Sequence, residues 1–244
     1  MAHIYKSKDG RILPSVTRVT RDMLPSDYIK FFNAKCRRKG LDPEKELERL
    51  GNIGTICHYR VLSKISPTPI DLPDIPAKDY PKDAMERADV FEMMWDDLNL
   101  TIQHPICEKF NYSEDYGYCG TYDLAAIVSG VIGDKRPEGR GRKVYLDESK
   151  CLIDLKTSAD VKEGYYYQLG AYSLFTPFVP DYGIVVCMHP WVTPKRKYLI
   201  AMCYVLDRNE LMGYKQKFLN LLSDWWQING KAFQKEQELK NKFR

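Results

Sequence analysis

The sequence predicts an α/β fold, a central sheet flanked by helices behind a helical N-terminal portion. Three observations predict it. Up to about residue 105, apolar side chains recur at the spacing of one helix face. From about residue 106 they recur in short runs bounded by glycine and rich in β-branched and aromatic residues, as strands do. After about residue 207 a long helical periodicity returns and closes the chain.

The elements follow in order. Residues 1 to about 25 mix short strand and turn signals around Pro14 and Pro25. Ser26 or Asp27 then offers a side-chain oxygen to cap a helix running through Phe31, Phe32 and Ala34. Asp42-Pro43-Glu44 starts the next helix, since proline is tolerated in a first turn that has no amide partner to lose. Leu47, Leu50, Ile53 and Ile56 or Cys57 form its apolar stripe, and it carries His58. The proline-rich stretch 66–81 reads as a loop. A helix over 82–100 has Met85, Val90, Met93, Met94 and Leu98 as a core stripe. A strand over 121–128 is entered between Gly117 and Gly120 and broken by Gly130. Residues 143–146 and 151–155 read as two more strands. The helix of Gln168 and Tyr172 follows, then a turn at Pro177 and Pro180. Strands over 182–188 and 197–205 finish the sheet. Asp207 caps a helix whose buried face is Leu211, Tyr214, Phe218, Leu221, Leu222 and Trp225, and the charged tail 231–244 is expected to fray. The helical portion, 1–105, and the remainder, 106–244, are expected to pack as one compact unit.

Three short segments hold the candidate chemistry: Gly120-Thr-Tyr-Asp123, Leu152-Ile-Asp154-Leu-Lys156-Thr157 and Gln168-Leu-Gly-Ala-Tyr172. Alternate side chains of a strand share a face, so Asp154 and Lys156 point together while Ile153 and Leu155 face the other way. Residues four apart on a helix stack on one side, which pairs Gln168 with Tyr172. Carboxylate oxygens bind hard cations such as Mg²⁺ or Mn²⁺. Such a cation beside a phosphodiester activates water, polarises the phosphoryl oxygen and stabilises the leaving oxygen. A nearby lysine adds a compact positive charge against the transition state. An Asp-x-Lys alone is usually a solvated strand face; the ordered series carries the reading.

That series resembles the PD-(D/E)XK nucleases, in particular the RecB-like branch, to which CRISPR-associated adaptation nucleases and the mitochondrial genome maintenance exonuclease belong. Gly54-Thr-Ile-Cys-His58 is similar to the branch's upstream Gly-x-x-x-His element, and Leu13-Pro-Ser-Val-Thr17 to a short motif near the start of phage and mitochondrial members. The resemblance spans roughly residues 12–190. It implies a restriction-endonuclease-like mixed central sheet flanked by helices, the N-terminal portion walling a substrate channel. It implies a Mg²⁺- or Mn²⁺-dependent deoxyribonuclease, an exonuclease on single-stranded DNA or DNA ends. Asp123 and Asp154 would be metal ligands, the Leu155 carbonyl a third oxygen and His58 a further ligand. Lys156 would orient the attacking water. Gln168 and Tyr172 would hold the DNA phosphate or orient the lysine. Glu108 would support the site or touch a second metal. Two alternatives stand beside this: a recombination or CRISPR-adaptation nuclease dependent on a recombinase, integrase or replication protein, and a catalytically weak nucleic-acid-binding scaffold. Each residue also has a plainer reading, with His58 and Glu108 structural and Gln168 and Tyr172 packing their helix on the sheet.

The basic, glycine-rich stretch 133–143 contains Lys135, Arg136, Arg140, Arg142 and Lys143. It reads as a solvated hairpin tip or as a phosphate-gripping flap beside the site. Tyr165, ahead of Gln168, is a further candidate contact to nucleic acid.

Composition bounds the function. With 44% hydrophobic and 29% charged residues among 244, the chain reads as an ordinary soluble globule able to bury a full core. A net charge of +4 confines any DNA affinity to local patches. No apolar run reaches the roughly 20 residues that span a bilayer, and the N-terminus lacks a signal-peptide pattern. No membrane partner and a cytoplasmic setting are therefore expected, the host cytoplasm if the chain is phage- or virus-encoded. The seven cysteines are scattered without a Cys-x-x-Cys pair, so neither a zinc ribbon nor the iron–sulfur cluster of some relatives is expected.

Overall fold

The computed structural model describes residues 5–8, 10–24, 28–71, 74–75, 81–97, 99–135, 141–189, 191–192, 197–198 and 202–242. Two short paired strands, β1 (Tyr5–Lys6) and β2 (Ile12–Leu13), precede four helices: α1 (Val16–Met23), α2 (Tyr28–Arg38), α3 (Pro43–Ile65) and α4 (Lys82–Asp97). The second half supplies β3 (Thr101–Ser113), β4 (Tyr118–Gly133), β5 (Lys143–Lys156), α5 (Glu163–Tyr172), β6 (Tyr182–Cys187), β7 (Trp191–Val192), β8 (Lys197–Tyr198), β9 (Met202–Asp207) and α6 (Arg208–Lys242). The main sheet has the order β3-β4-β5-β6-β9. Only β5 and β6 run parallel, and α5 lies in the crossover that parallel pairing requires. The mixed sheet flanked by helices is therefore the architecture observed.

Helices cover both faces. On one, α3 and α4 bring Cys57, Leu62 and Phe91 onto Leu124, Ile153 and Leu155. On the other, α1, α5 and α6 bring Val16, Leu169 and Trp225 onto Tyr118, Leu152 and Val185. β5 shows the expected period of two: Ile153 and Leu155 enter the first cluster and Leu152 the second. The helices start where the sequence allows. Asp42 Oδ1 accepts from Glu44 N at 2.9 Å, with Pro43 in the first turn of α3. Asp207 and Glu210 exchange bonds at the start of α6, Asp207 Oδ1 accepting from Glu210 N at 3.0 Å and Glu210 Oε2 from Asp207 N at 2.9 Å. Glycine lets α5 and α6 meet: a Cβ on Gly170 would stand 2.5 Å from Lys215 N.

Several elements differ from expectation. Residues 16–23 form helix α1, capped by Ser15 Oγ accepting from Arg18 N at 3.1 Å. Val16, Val19 and Thr20 are poor helix formers, but burying them under the sheet overrides local propensity. Gly130 does not end its strand; it takes φ +135° in a bulge that keeps β4 running to Gly133. The two strands expected over 143–155 are one, β5, kinked where Glu148 adopts φ +43°. Of 197–205, the described residues divide between β8, paired with β7, and β9 in the main sheet. Met93 is exposed, while Met94 joins the core. The tail stays helical to Lys242, because Phe233 buries itself against Trp225 and Trp226. β3 already begins at Thr101, ahead of the 105/106 division, and the core under α3 and α4 belongs equally to the sheet. The expected caps Ser26 and Asp27, and Leu98, lie outside the described residues. Among the described residues no helix is long and apolar enough to cross a membrane.

Candidate active site

Register brings the acids together. Between the pairs Cys107↔Leu124 and Lys109↔Tyr122, Glu108 on β3 falls opposite Asp123 on β4. One step beyond Leu124↔Ile153, Asp123 falls opposite Asp154 on β5. Three carboxylates thus form a row across three adjacent strands. The backbone is irregular there: Glu108 has φ +47°, and β4 changes face at Asp123, with Tyr122 in one core and Leu124 in the other. Asp123 Oδ2 takes the Leu155 amide at 2.7 Å in place of a ladder carbonyl. Irregular pairing that re-aims a side chain is common beside active sites.

His58 reaches the row from α3, its Nδ1 3.6 Å from Asp123 Oδ1 and 3.9 Å from Glu108 Oε1. His58, Glu108 and Asp123 offer ligand atoms all within 4.8 Å of one another. The Leu155 carbonyl opens on the same edge. Leu155 N–H points at Asp123, and the next carbonyl, Lys156 O, faces the opposite way and accepts from Met188 N at 2.7 Å.

Asp154 is the deepest member, 2% exposed at the side chain. Burial raises its carboxyl to about 6 and Asp123 pushes the same way, against the pull of Lys156. Lys156 stands 2.6 Å from Asp154 Oδ2, yet that oxygen has no donor at hydrogen-bonding angles. Burial works against the ammonium, but Asp154 and Asp123 more than offset it and hold Lys156 above its ordinary value. Glu108, still partly open to solvent, rises to about 7 through burial and then the charge of Asp123.

These groups line one groove of about 880 Å³ between α1, α3, β3 and α5, with Gln168 and Tyr172 on its wall. Tyr172 packs over Gly120, whose place a Cβ would contest at 2.7 Å from the ring, so the glycine of Gly-x-x-Asp has a steric reason. Tyr165 does not line this groove. Its ring lies under the Lys156 ammonium at 5.1 Å and its hydroxyl donates to Ser158 Oγ at 3.2 Å, a supporting place rather than the expected contact to nucleic acid. Arg87 was not anticipated. Nearly buried, it donates from a terminal guanidinium nitrogen to the carbonyl of Thr157, just past Lys156. The signal was present in the spacing, for Arg87 shares a helix face with Ala84, Ala88 and Phe91.

Of the basic stretch, Lys135, Arg142 and Lys143 do not line this groove. They stand at the turn end of the β4–β5 pairing, which curls onto β9, Lys135 N donating to Cys203 O at 2.8 Å. Arg142 Nε pairs there with buried Asp134 at 3.2 Å. Arg136 and Arg140 lie outside the described residues.

The residues present fit a divalent cation: one imidazole nitrogen, several carboxylate oxygens, a backbone carbonyl and a buried carboxylate oxygen without an aligned donor. No family model matches the chain, and no curated protein does. A solved structure described as the crystal structure of SSO0001 is similar at a TM-score of 0.24 and 14% identity, over 70% of this chain and 73% of that one.

Proposed function

We propose that this chain is a divalent-metal-dependent nuclease that hydrolyses phosphodiester bonds in DNA, acting on single strands or ends. The observation that carries the reading is the row Glu108, Asp123, Asp154 beside a half-buried, charged Lys156 in an open groove. Like charges directly opposite across strands destabilise a sheet, so a row of three needs a reason. A cation and an anionic substrate supply one.

His58, Asp123, Asp154 and the Leu155 carbonyl would hold Mg²⁺ or Mn²⁺, with Glu108 at the margin. Imidazole among the carboxylates favours Mn²⁺ over Mg²⁺, which prefers oxygen. The bound ion would activate water and stabilise charge on the phosphoryl and leaving oxygens. Asp154 holds Lys156 protonated, and its ammonium orients the attacking water and offsets the growing negative charge. Gln168 grips a phosphate from the α5 wall, and Tyr172 fixes that wall against Gly120. A cytoplasmic setting goes with this reading, supported by seven unpaired thiols, as a reducing compartment maintains.

The test is cleavage of end-labelled linear single-stranded, linear duplex and circular DNA with Mn²⁺ or Mg²⁺. Wild type is expected to degrade linear DNA only with metal, and Asp123→Ala and Lys156→Ala to lose that activity. Equal cleavage by all three proteins removes the proposal. Cutting of circles makes the enzyme an endonuclease, and activity appearing only with a recombinase makes it partner-dependent.

A further inference from the structure

The helix α2 shows an aromatic and basic face that no contact among the described residues explains. Phe31 is 72% exposed, the most exposed of the large apolar side chains on this helix. Phe31, Lys35 and Arg38 fall at i, i+4 and i+7 and so share one face, while the buried Cys36 marks the opposite one. Lys35 and Arg38 are exposed as well. From Tyr28 to Leu41 there are five lysines and arginines and no acid, against a net charge of +4 for the whole chain. Cations in a last helical turn complement the helix dipole, which accounts for Lys35 and Arg38 within a fold. The dipole gives no reason for an exposed phenylalanine on the same face.

We propose that the Phe31–Lys35–Arg38 face binds single-stranded nucleic acid, Phe31 stacking on a base and the two cations holding flanking phosphates. Stacking platforms set among cations are how proteins hold single strands without reading sequence. The location suits this: α2 joins α1 to α3, and Thr17 of α1 and His58 of α3 both line the groove. A lipid surface fits less well, because an interfacial helix needs a broad apolar face, and the two large apolar side chains that α2 exposes among the described residues, Ile29 and Phe31, lie on different faces. The inference rests on the nuclease reading only for the nature of the polymer.

The test is fluorescence anisotropy of the full chain with an oligothymidine about 20 nucleotides long, longer than one such site. EDTA keeps cleavage out of the measurement. Phe31→Ala should weaken binding about five- to a hundredfold, the factor one base–aromatic stack carries, and leave the salt dependence unchanged. Lys35→Glu with Arg38→Glu should weaken binding and flatten the slope of log K against log salt by about 1.4, at 0.7 per phosphate contact on a single strand. All three positions are exposed, so the variants should melt with wild type. Wild type that binds no oligothymidine, or variants that bind as wild type does, would overturn the proposal. So would loss of binding to phosphatidylserine vesicles while oligothymidine affinity holds. An inactive protein whose oligothymidine binding still depends on Phe31 sinks the nuclease reading and leaves this one standing.

Discussion

Replacing Asp154 with asparagine should stabilise the metal-free protein while ending its chemistry. The carboxyl is held at about 6 against an ordinary 3.8, first by burial and then by Asp123. A folded value above the unfolded one means that this group favours folding most below pH 3.8, and that the benefit is lost as pH rises through about 6. Above both values the difference of about 2 units, at about 1.4 kcal/mol each, sets about 3 kcal/mol against the folded state. Asparagine keeps the shape without the charge, and Lys156 retains Asp123 as a counter-charge. For a chain of this size the gain corresponds to a melting temperature about 5–10 °C higher. The assay is thermal unfolding in EDTA from pH 4 to 8. The gap between variant and wild type should open between about pH 4 and pH 6 and stay constant above, and Mn²⁺ should raise the wild-type midpoint more than the variant's. A variant that melts at or below wild type at pH 8, with a gap indifferent to pH, would refute the idea that the row stores electrostatic strain for a cation to relieve.

Other expectations concern single groups. Lys156→Ala should lower the cleavage rate by about 10²–10³, the usual loss when one positioned charge-stabilising group goes, with Mn²⁺ affinity by calorimetry nearly unchanged. In wild type, Mn²⁺ affinity should rise with pH through about 7 as Glu108 ionises, and Glu108→Gln should flatten that rise. Gly170→Ala should cost about 2 kcal/mol or more in urea unfolding, because its methyl meets the backbone of Tyr214 and Lys215 rather than a side chain that can move.

Much of the sheet and its site were legible in the sequence because they depend on local rules. The alternation in 152–156 fixed which side chains enter the core and which face the groove, and the structure has Asp154 and Lys156 together, with Ile153 and Leu155 opposite. The start of α3 was legible because Asp42 and Pro43 act within one turn. What escaped was decided at a distance. Half of helix α1 is β-branched, and burial against the sheet, α5 and α6 holds it helical. The basic stretch lies between the acidic strands in sequence, yet its Lys135 meets β9 at Cys203, a contact that no local rule records. Tyr165, a candidate contact to nucleic acid, lies against Lys156, which comes from a different element. Glu108 was named through the resemblance alone, and its place opposite Asp123 comes from register with β4.

Locating Mn²⁺ by its anomalous scattering in crystals soaked with the ion tests the account most directly. One strong peak is expected among His58, Asp123, Asp154 and the Leu155 carbonyl, weakened when Asp123 is replaced by alanine. A peak elsewhere, or no binding at this row while the ion occupies other carboxylates, would contradict it.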